Sequence, residues 1–338
     1  MRRISLIVAG LAATVICCQA LGQGTVVRVG YFPNVTHSQA AIGRATGRFE
    51  QALGHGAPIE WKTFNAGPSV IEAIFAGALD FAYVGSGPTI TGYVRSQGEA
   101  LRVIAGATSG GAALVVRSDS GISAAADFHG KKVASPQLGN TQDVALRAWL
   151  HRNHLETRER GGDVQVIPIA NPDQFTLFVK REIDAAWAPE PWATRLIQQA
   201  NGRLFLDERD LWPNRQFVTT NLVVSKKFLE QHRDIVKQWL RVHVELTNWI
   251  NANPPEARRI LNQQIRKDTS AEIPPQILEE SFTRLQVTYD PLRSSLLAAA
   301  QLSQEAGLLG RKPIDLSGLH DLSVLNEVLA EKKLKAIQ

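Results

Sequence analysis

The sequence predicts an α/β fold of two similar lobes joined by two crossing strands. Three observations carry this expectation: four segments of the first half recur at a constant offset of 104, each copy alternates strands with helices, and a short echo (Leu114-Val-Val116 and Leu222-Val-Val224) marks the passages between copies.

In the repeat, Arg28-Val-Gly-Tyr-Phe-Pro-Asn-Val-Thr-His37 corresponds to Lys132-Val-Ala-Ser-Pro-Gln-Leu-Gly-Asn-Thr141. A β-rich start gives way to Pro, Asn and Gly, then to helical runs at 38–49 and 142–153. Residues 59–65 fall on 163–169, and Pro68 falls on Pro172. The next helices end at Gly77-Ala-Leu-Asp80 and Arg181-Glu-Ile-Asp184, ahead of Phe81-Ala-Tyr-Val84 and Ala185-Ala-Trp-Ala188. Each copy therefore reads β–loop–α–β–loop–α–β, the pattern of a parallel sheet covered by helices. Two crossing strands form a natural hinge, because a few end residues can absorb a rotation.

From about Ser225 the chain reads as helical. Ile235, Val236, Trp239, Leu240, Val242 and Leu246 form an apolar stripe within 228–251, which stops before Pro254-Pro255. Residues 274–287 and 291–309 each begin near proline and carry a periodic stripe. These helices are expected to pack on the first lobe, and Lys332-Lys333-Leu334-Lys335 to form a solvated tail. The expected organisation is 1–22 as a signal peptide, 23–113 with 218–338 as lobe 1, and 114–217 as lobe 2.

The 338 residues are 44% apolar and 20% charged, a balance that excludes disordered and collagen-like classes. No apolar run reaches the roughly 18 residues of a transmembrane helix. A net charge of +5, with basic residues scattered among acidic ones, argues against nucleic acid as the main partner.

Arg2 and Arg3, the apolar stretch 4–16 and the small residues Ala20 and Gly22 form the pattern of a secretory signal peptide cleaved after Gly22. Lipid attachment at Cys18 is the less favoured alternative, because Val15-Ile16-Cys17 makes a poor lipobox. Cys17 and Cys18 are the only cysteines and Met1 the only methionine, so the processed chain contains no sulfur and no disulfide. Export and a lone large core are thereby combined.

In open α/β sheets, ligands bind beyond the carboxyl ends of the strands. The first lobe places there Asn34, Thr36 and His37, then Asn65-Ala-Gly-Pro-Ser69, then Gly85-Ser86-Gly-Pro-Thr89, and finally Ser109-Gly110-Gly111. The second offers Gln137-Leu-Gly-Asn140-Thr141-Gln142, Asn171 and Ala188-Pro-Glu190-Pro-Trp192, with Thr219-Thr-Asn221 near the returning strand. Helix capping accounts for about half of these residues. Their convergence on one rim points to helix N-termini that present free N–H groups to an anion. The rim is poor in Lys and Arg, so neutral donors are expected to hold the anionic head group of a small ligand. Trp187 and Trp192 could sandwich an apolar tail, with core packing the competing role for Trp187. Glu190 faces either an amine on the ligand or a basic residue across the cleft.

No catalytic or metal-binding residue is expected. Gly85-Ser-Gly-Pro-Thr-Ile90 lacks the third glycine of a dinucleotide fingerprint, and no P-loop is present. Ala107-Thr-Ser-Gly-Gly111 has alanine where a nucleophile elbow has its first glycine. There is no paired-His zinc motif, and His151 and His154 sit among arginines on a solvated face. His37, with no carboxylate beside it in sequence, is expected to donate a hydrogen bond. No cofactor is called for.

Gly30-Tyr-Phe-Pro-Asn-Val-Thr-His37, the run from Trp61 to Ala73, Pro136-Gln-Leu-Gly-Asn-Thr-Gln-Asp143 and Ala188-Pro-Glu-Pro-Trp192 resemble the aliphatic sulfonate, nitrate and taurine class of periplasmic substrate-binding proteins. The resemblance spans roughly 26–250. It implies a type II periplasmic-binding-protein fold, monomeric and exported. Such a protein closes on a small anion and delivers it to the membrane permease of an ABC importer. The ligand rim it implies is Asn34, Thr36, His37, Asn65, Ser86, Thr89, Ser109, Gly110, Asn140, Thr141, Gln142, Glu190 and Trp192. An aliphatic sulfonate is favoured over nitrate because no basic residue stands at a clear rim position. A chain that scavenges sulfonates under sulfur limitation gains from containing no sulfur itself. The alternatives are taurine, nitrate, or a thiamine-precursor pyrimidine sandwiched by Trp187/Trp192 or Tyr31/Phe32. Desulfinases resemble this architecture but require a nucleophilic cysteine, which the processed chain lacks.

Overall fold

The computed structural model describes residues 24–310 and 313–338. The signal-peptide segment, with Cys17 and Cys18, lies outside the described residues. Eleven strands form two sheets among the described residues. In chain order they are β1 (Val27–Tyr31), β2 (Ile59–Thr63), β3 (Phe81–Gly85), β4 (Leu101–Gly110), β5 (Ala112–Arg117), β6 (Lys132–Ser135), β7 (Gln165–Pro168), β8 (Ala185–Pro189), β9 (Gly202–Asp207), β10 (Val218–Ser225) and β11 (Leu285–Val287). The first sheet has the order β11-β4-β10-β3-β1-β2 and the second β7-β6-β8-β5-β9.

The repeat survives at the level of single atoms. In the first sheet Val29 pairs with Phe81 and Gly30 with Ala82; in the second Val133 pairs with Ala185 and Ala134 with Ala186, the same register displaced by 104. Asp80 accepts from the backbone N of Arg28 at 2.8 Å, and Asp184 accepts from that of Lys132 at 2.9 Å. Gly77 and Arg181, three residues before these aspartates, share a left-handed backbone with φ of 65° and 62°.

The passages between sheets sit one step away from the echo segments. Leu114-Val-Val116 lies at the interior of the second sheet, between β8 and β9, and Leu222-Val-Val224 at the interior of the first, between β3 and β4. The outward passage is Gly110–Gly111, with φ of 71° and 79°, where a Cβ on Gly110 would stand 2.7 Å from the carbonyl oxygen of Arg284. Glycine is required there by both the dihedral and the close approach. The return runs through 208–217.

The C-terminal third departs from expectation in four places. The long helix breaks at His232 into Lys226–Gln231 and Arg233–Ala252, and a further helix follows at Pro254–Thr269. The stretch 274–287 is a helix, Pro275–Thr283, followed by β11, whose Leu285 and Val287 are buried while Gln286 is exposed. Antiparallel pairing with β4 overrides the helical periodicity there. Helix Arg293–Glu305 bridges the lobes instead of packing on the first alone: Arg152 reaches across to Glu305 at 2.8 and 3.0 Å. The terminal segment is anchored, because Asn326 and Ile337 exchange hydrogen bonds of 2.9 and 2.8 Å while Leu334 and Ile337 pack on the core.

The first lobe's core centres on Trp239, stacked on Phe49 at 3.8 Å and Phe81 at 4.9 Å. Among the described residues, no helix is long and apolar enough to cross a membrane.

Candidate functional site

Both sheets end at one cleft of about 440 Å³. Five helices start around it: Gly67–Phe75 after Asn65, Ser86–Arg95 after β3, Thr141–Arg152 after Asn140, Asn171–Val179, and Trp192–Gln199 after β8. At none of the five does the residue preceding the helix make a side-chain capping bond. Four of those residues, Ala66, Gly85, Ala170 and Pro191, have no side-chain acceptor to offer, and the fifth, Asn140, makes no capping bond. Two of the helix starts are served in other ways. Thr194 N donates to Glu190, and Gly87 N donates to Thr141 Oγ1 at 3.3 Å across the lobes. Convergent helix starts give the cleft a positive potential without a buried cation.

Of the residues expected on the rim, Asn34, Thr36, His37, Asn65, Asn140, Thr141, Gln142 and Trp192 line the cleft, with Asn171, Thr219 and Thr220. Asn34 caps the short turn Val35–His37 by accepting from Thr36 N at 3.2 Å. His37 accepts from Phe32 N through Nδ1 at 3.3 Å and stacks on the Phe32 ring at 4.4 Å. Its remaining hydrogen is thereby held on Nε2, as a donor. Burial pushes its pKa down to about 3, so the ring is neutral at working pH.

Ser86, Thr89, Ser109, Gly110 and Glu190 do not line the cleft. Thr89 folds back onto Gly85 O at 2.8 Å, and Ser86 and Ser109 are buried on their own helix and strand. The Gly110 carbonyl accepts from Thr219 Oγ1. Glu190 is wholly buried and takes the second of its two expected roles. It faces Arg284 at 3.2 Å and also accepts from Ser281 and twice from Thr194. Trp187 is likewise fully buried and donates to Glu208 at 2.7 Å, so it cannot form a sandwich with Trp192.

A basic residue does stand on the rim, contrary to the sequence reading. Arg195 lines the cleft from the first turn of helix Trp192–Gln199, over the ring of Trp192 at 4.5 Å. The i,i+3 spacing from Trp192 was the available signal, and it needed the helix start to be placed at Trp192. Ile265, Thr269, Ala271, Glu272 and Ile273 also line the cleft. They lie far along the chain beyond the returning strand β10, and no sequence pattern announces them.

The lobes meet at Gly85, where an added Cβ would stand 2.2 Å from Thr141 Oγ1. Gly85→Ala adds overpacking strain of about 1–3 kcal/mol only while the lobes are this close. Rotation at the hinge relieves it, so the expected result is an unchanged fold with roughly tenfold weaker ligand binding. Titration calorimetry beside a thermal melt checks this, and unaltered affinity would remove Gly85 from the closure contact.

The profile of the NMT1-like family matches residues 22–266. The chain belongs to this family. It is 24% identical over 234 residues to the taurine-binding periplasmic protein of Escherichia coli K12, covering 69% of each chain. It is 27% identical over 270 residues to a protein of Brucella abortus named "putative binding protein", covering 79% of this chain and 80% of that one. In fold it is similar to the alkanesulfonate-binding protein SsuA from Xanthomonas axonopodis pv. citri bound to MOPS, with a TM-score of 0.71 at 20% identity over 86% of this chain and 96% of the other. The nitrate-binding protein NrtA from Synechocystis PCC 6803 gives a TM-score of 0.68 at 14% identity, over 91% and 89%. This NMT1-like chain shares the two-lobed fold of these binding proteins.

Proposed function

We propose that this is an exported solute-binding protein that closes on a small organic anion, an aliphatic sulfonate, and hands it to the permease of an ABC importer. In this reading residues 1–22 direct export, the mature chain works as a monomer in the periplasm, and the lobes are 23–113 with 218–338 and 114–217.

The observation that carries the reading is the convergence of helix starts, without caps from their preceding residues, on neutral donors in one cleft. His37, Thr141, Gln142 and Thr220 are all buried there. Neutral N–H and O–H donors suit a sulfonate, which accepts hydrogen bonds through three oxygens. Phe32, Phe64, Trp192, Ile265 and Ile273 add an apolar wall for a tail. A four-atom ion such as nitrate would leave most of 440 Å³ to water. The absence of sulfur beyond residue 22 fits a protein made when sulfur is scarce. A pyrimidine sandwich finds less support, since Tyr31 and Trp187, one member of each candidate pair, have no exposed surface.

A thermal-shift panel on residues 23–338 tests the proposal with alkanesulfonates, taurine, nitrate, sulfate and pyrimidines. A hundredfold excess over Kd stabilises the folded state by about 2.7 kcal/mol. The expected result is a rise in Tm with alkanesulfonates. A rise with pyrimidines alone would overturn the ligand class while leaving the import role in place.

A further inference from the structure

The cleft's neutral donors contrast with one charged group that the solute-binding reading has not used. Among the described residues, Arg195 is the only lysine or arginine lining the cleft. It is half-buried, with its guanidinium 4.5 Å from the Trp192 ring and 4.9 Å from the Phe175 ring. Its only side-chain hydrogen bond among the described residues runs from Nε to Gln199 Oε1 at 3.3 Å. No carboxylate of the described residues lies within 4.0 Å of it. Both Nη groups are therefore uncommitted.

Two enclosed arginines of this protein, with side chains only 9% and 12% exposed, are neutralised. Arg147 pairs with Asp143 at 3.1 Å, and Arg284 pairs with Glu190 at 3.2 Å. Partly burying a cation without a partner is unfavourable, and burial alone shifts Arg195 toward its neutral form. The two rings offset part of this cost through cation–π attraction and hold the fork in one orientation. Glu272 also lines the cleft, but it is exposed and lies 3.5 Å from Arg266. A partner for Arg195 is thus missing on the side that faces the ligand.

We infer that Arg195 is the ligand's counter-cation and restricts the cleft to solutes that carry a full negative charge. The inference rests on the proposed function and deepens it. Helix starts and neutral donors recognise oxygen acceptors of any charge, whereas a clamped guanidinium distinguishes an anion from its neutral isostere. Its two free Nη edges match two oxygens of a sulfonate or carboxylate.

The test compares 1-butanesulfonate with butanesulfonamide, its neutral isostere, by titration calorimetry on the mature chain and on R195Q and R195K. The wild-type chain is expected to prefer the sulfonate by roughly tenfold or more, the least that removing a charge partner from an enclosed pair should cost. R195Q is expected to bring that ratio close to one, with an unchanged melting temperature in the absence of ligand. R195K is expected to keep a preference, at weaker affinity and with stronger salt dependence. If the wild-type chain prefers the sulfonate and R195Q keeps the full preference, the role of Arg195 is overturned and the sulfonate reading stands. If the wild-type chain binds neither compound, or both equally, the role and the sulfonate reading fall together.

Discussion

Glu190→Ala is expected to lower the unfolding free energy by about 3 kcal/mol, the low end of the cost of breaking a buried ion pair, because Arg284 keeps a second carboxylate in Glu280 at 2.7 Å. Four donors converge on the Glu190 carboxylate: Thr194 N at 3.1 Å, Thr194 Oγ1 at 3.0 Å, Ser281 Oγ at 3.1 Å and the Arg284 guanidinium at 3.2 Å. Burial raises its pKa, and the Arg284 charge and these hydrogen bonds oppose the rise. The pair also ties the lobes together beside the hinge. Glu190 N donates to Gly111 O at 2.9 Å, and Gly111 N donates to Arg284 O at 2.8 Å. Truncation leaves Arg284, only 12% exposed, with the half-exposed Glu280 at 2.7 Å as its one remaining carboxylate among the described residues. The double variant Glu190→Ala/Arg284→Met is therefore expected to lose less than the single one. Urea unfolding of both variants checks this, and a single-variant loss below about 1 kcal/mol would show that the hinge does not depend on the pair.

Stability is expected to peak near pH 6.5, with a steeper fall on the acid side. Burial holds the pKa of His37 down to about 3 and those of His243 and His320 down to about 4, against 6.5 when unfolded. The unfolded chain thus takes up protons below pH 6.5 that the folded chain refuses, and stability drops as pH falls. His37 and His243 each remove about 3 kcal/mol by pH 4. For His243 the cause is visible: Nε2 bonds to Gly106 O at 2.8 Å and Nδ1 to Tyr83 OH at 3.0 Å, so the ring is already saturated as a neutral tautomer.

Glu208 acts with the opposite sign. Burial raises its pKa from 4.5 to about 8, so the folded chain keeps a proton that the unfolded chain releases, and stability declines from pH 4.5 toward 8. Urea midpoints from pH 4 to 9 test both slopes. Glu208→Gln, which keeps an acceptor for Trp187, is expected to stabilise the chain at pH 8 and flatten the alkaline decline. A Glu208→Gln chain as pH-dependent as the wild type would sink this assignment.

The sequence by itself determined the repeat and most of what the repeat implies. An offset of 104 between halves was legible because strand pairing depends on local β-rich runs and fixed loop lengths, which a linear pattern records. It led to β1, β3, β6 and β8 and to eight of the rim residues, Asn34 and Thr141 among them. Those residues sit between strand ends and helix starts, where topology alone carries them to the cleft. Tertiary structure alone decided the rest. Whether Glu190 meets a ligand or Arg284 depended on where a side chain 94 positions later packs, and the sequence left both open. Leu285–Val287 became a strand because β4 had a free edge, against its own periodicity. Ile265 and Thr269 reach the cleft because their helix, Pro254–Thr269, packs beside Ser38–Thr46, and Arg195 was recognised only once its rings were in place. The physical division is one of range. Local periodicity and turn chemistry act through neighbouring bonds and can be read in order, whereas burial and charge pairing depend on contacts between residues that no sequence pattern links.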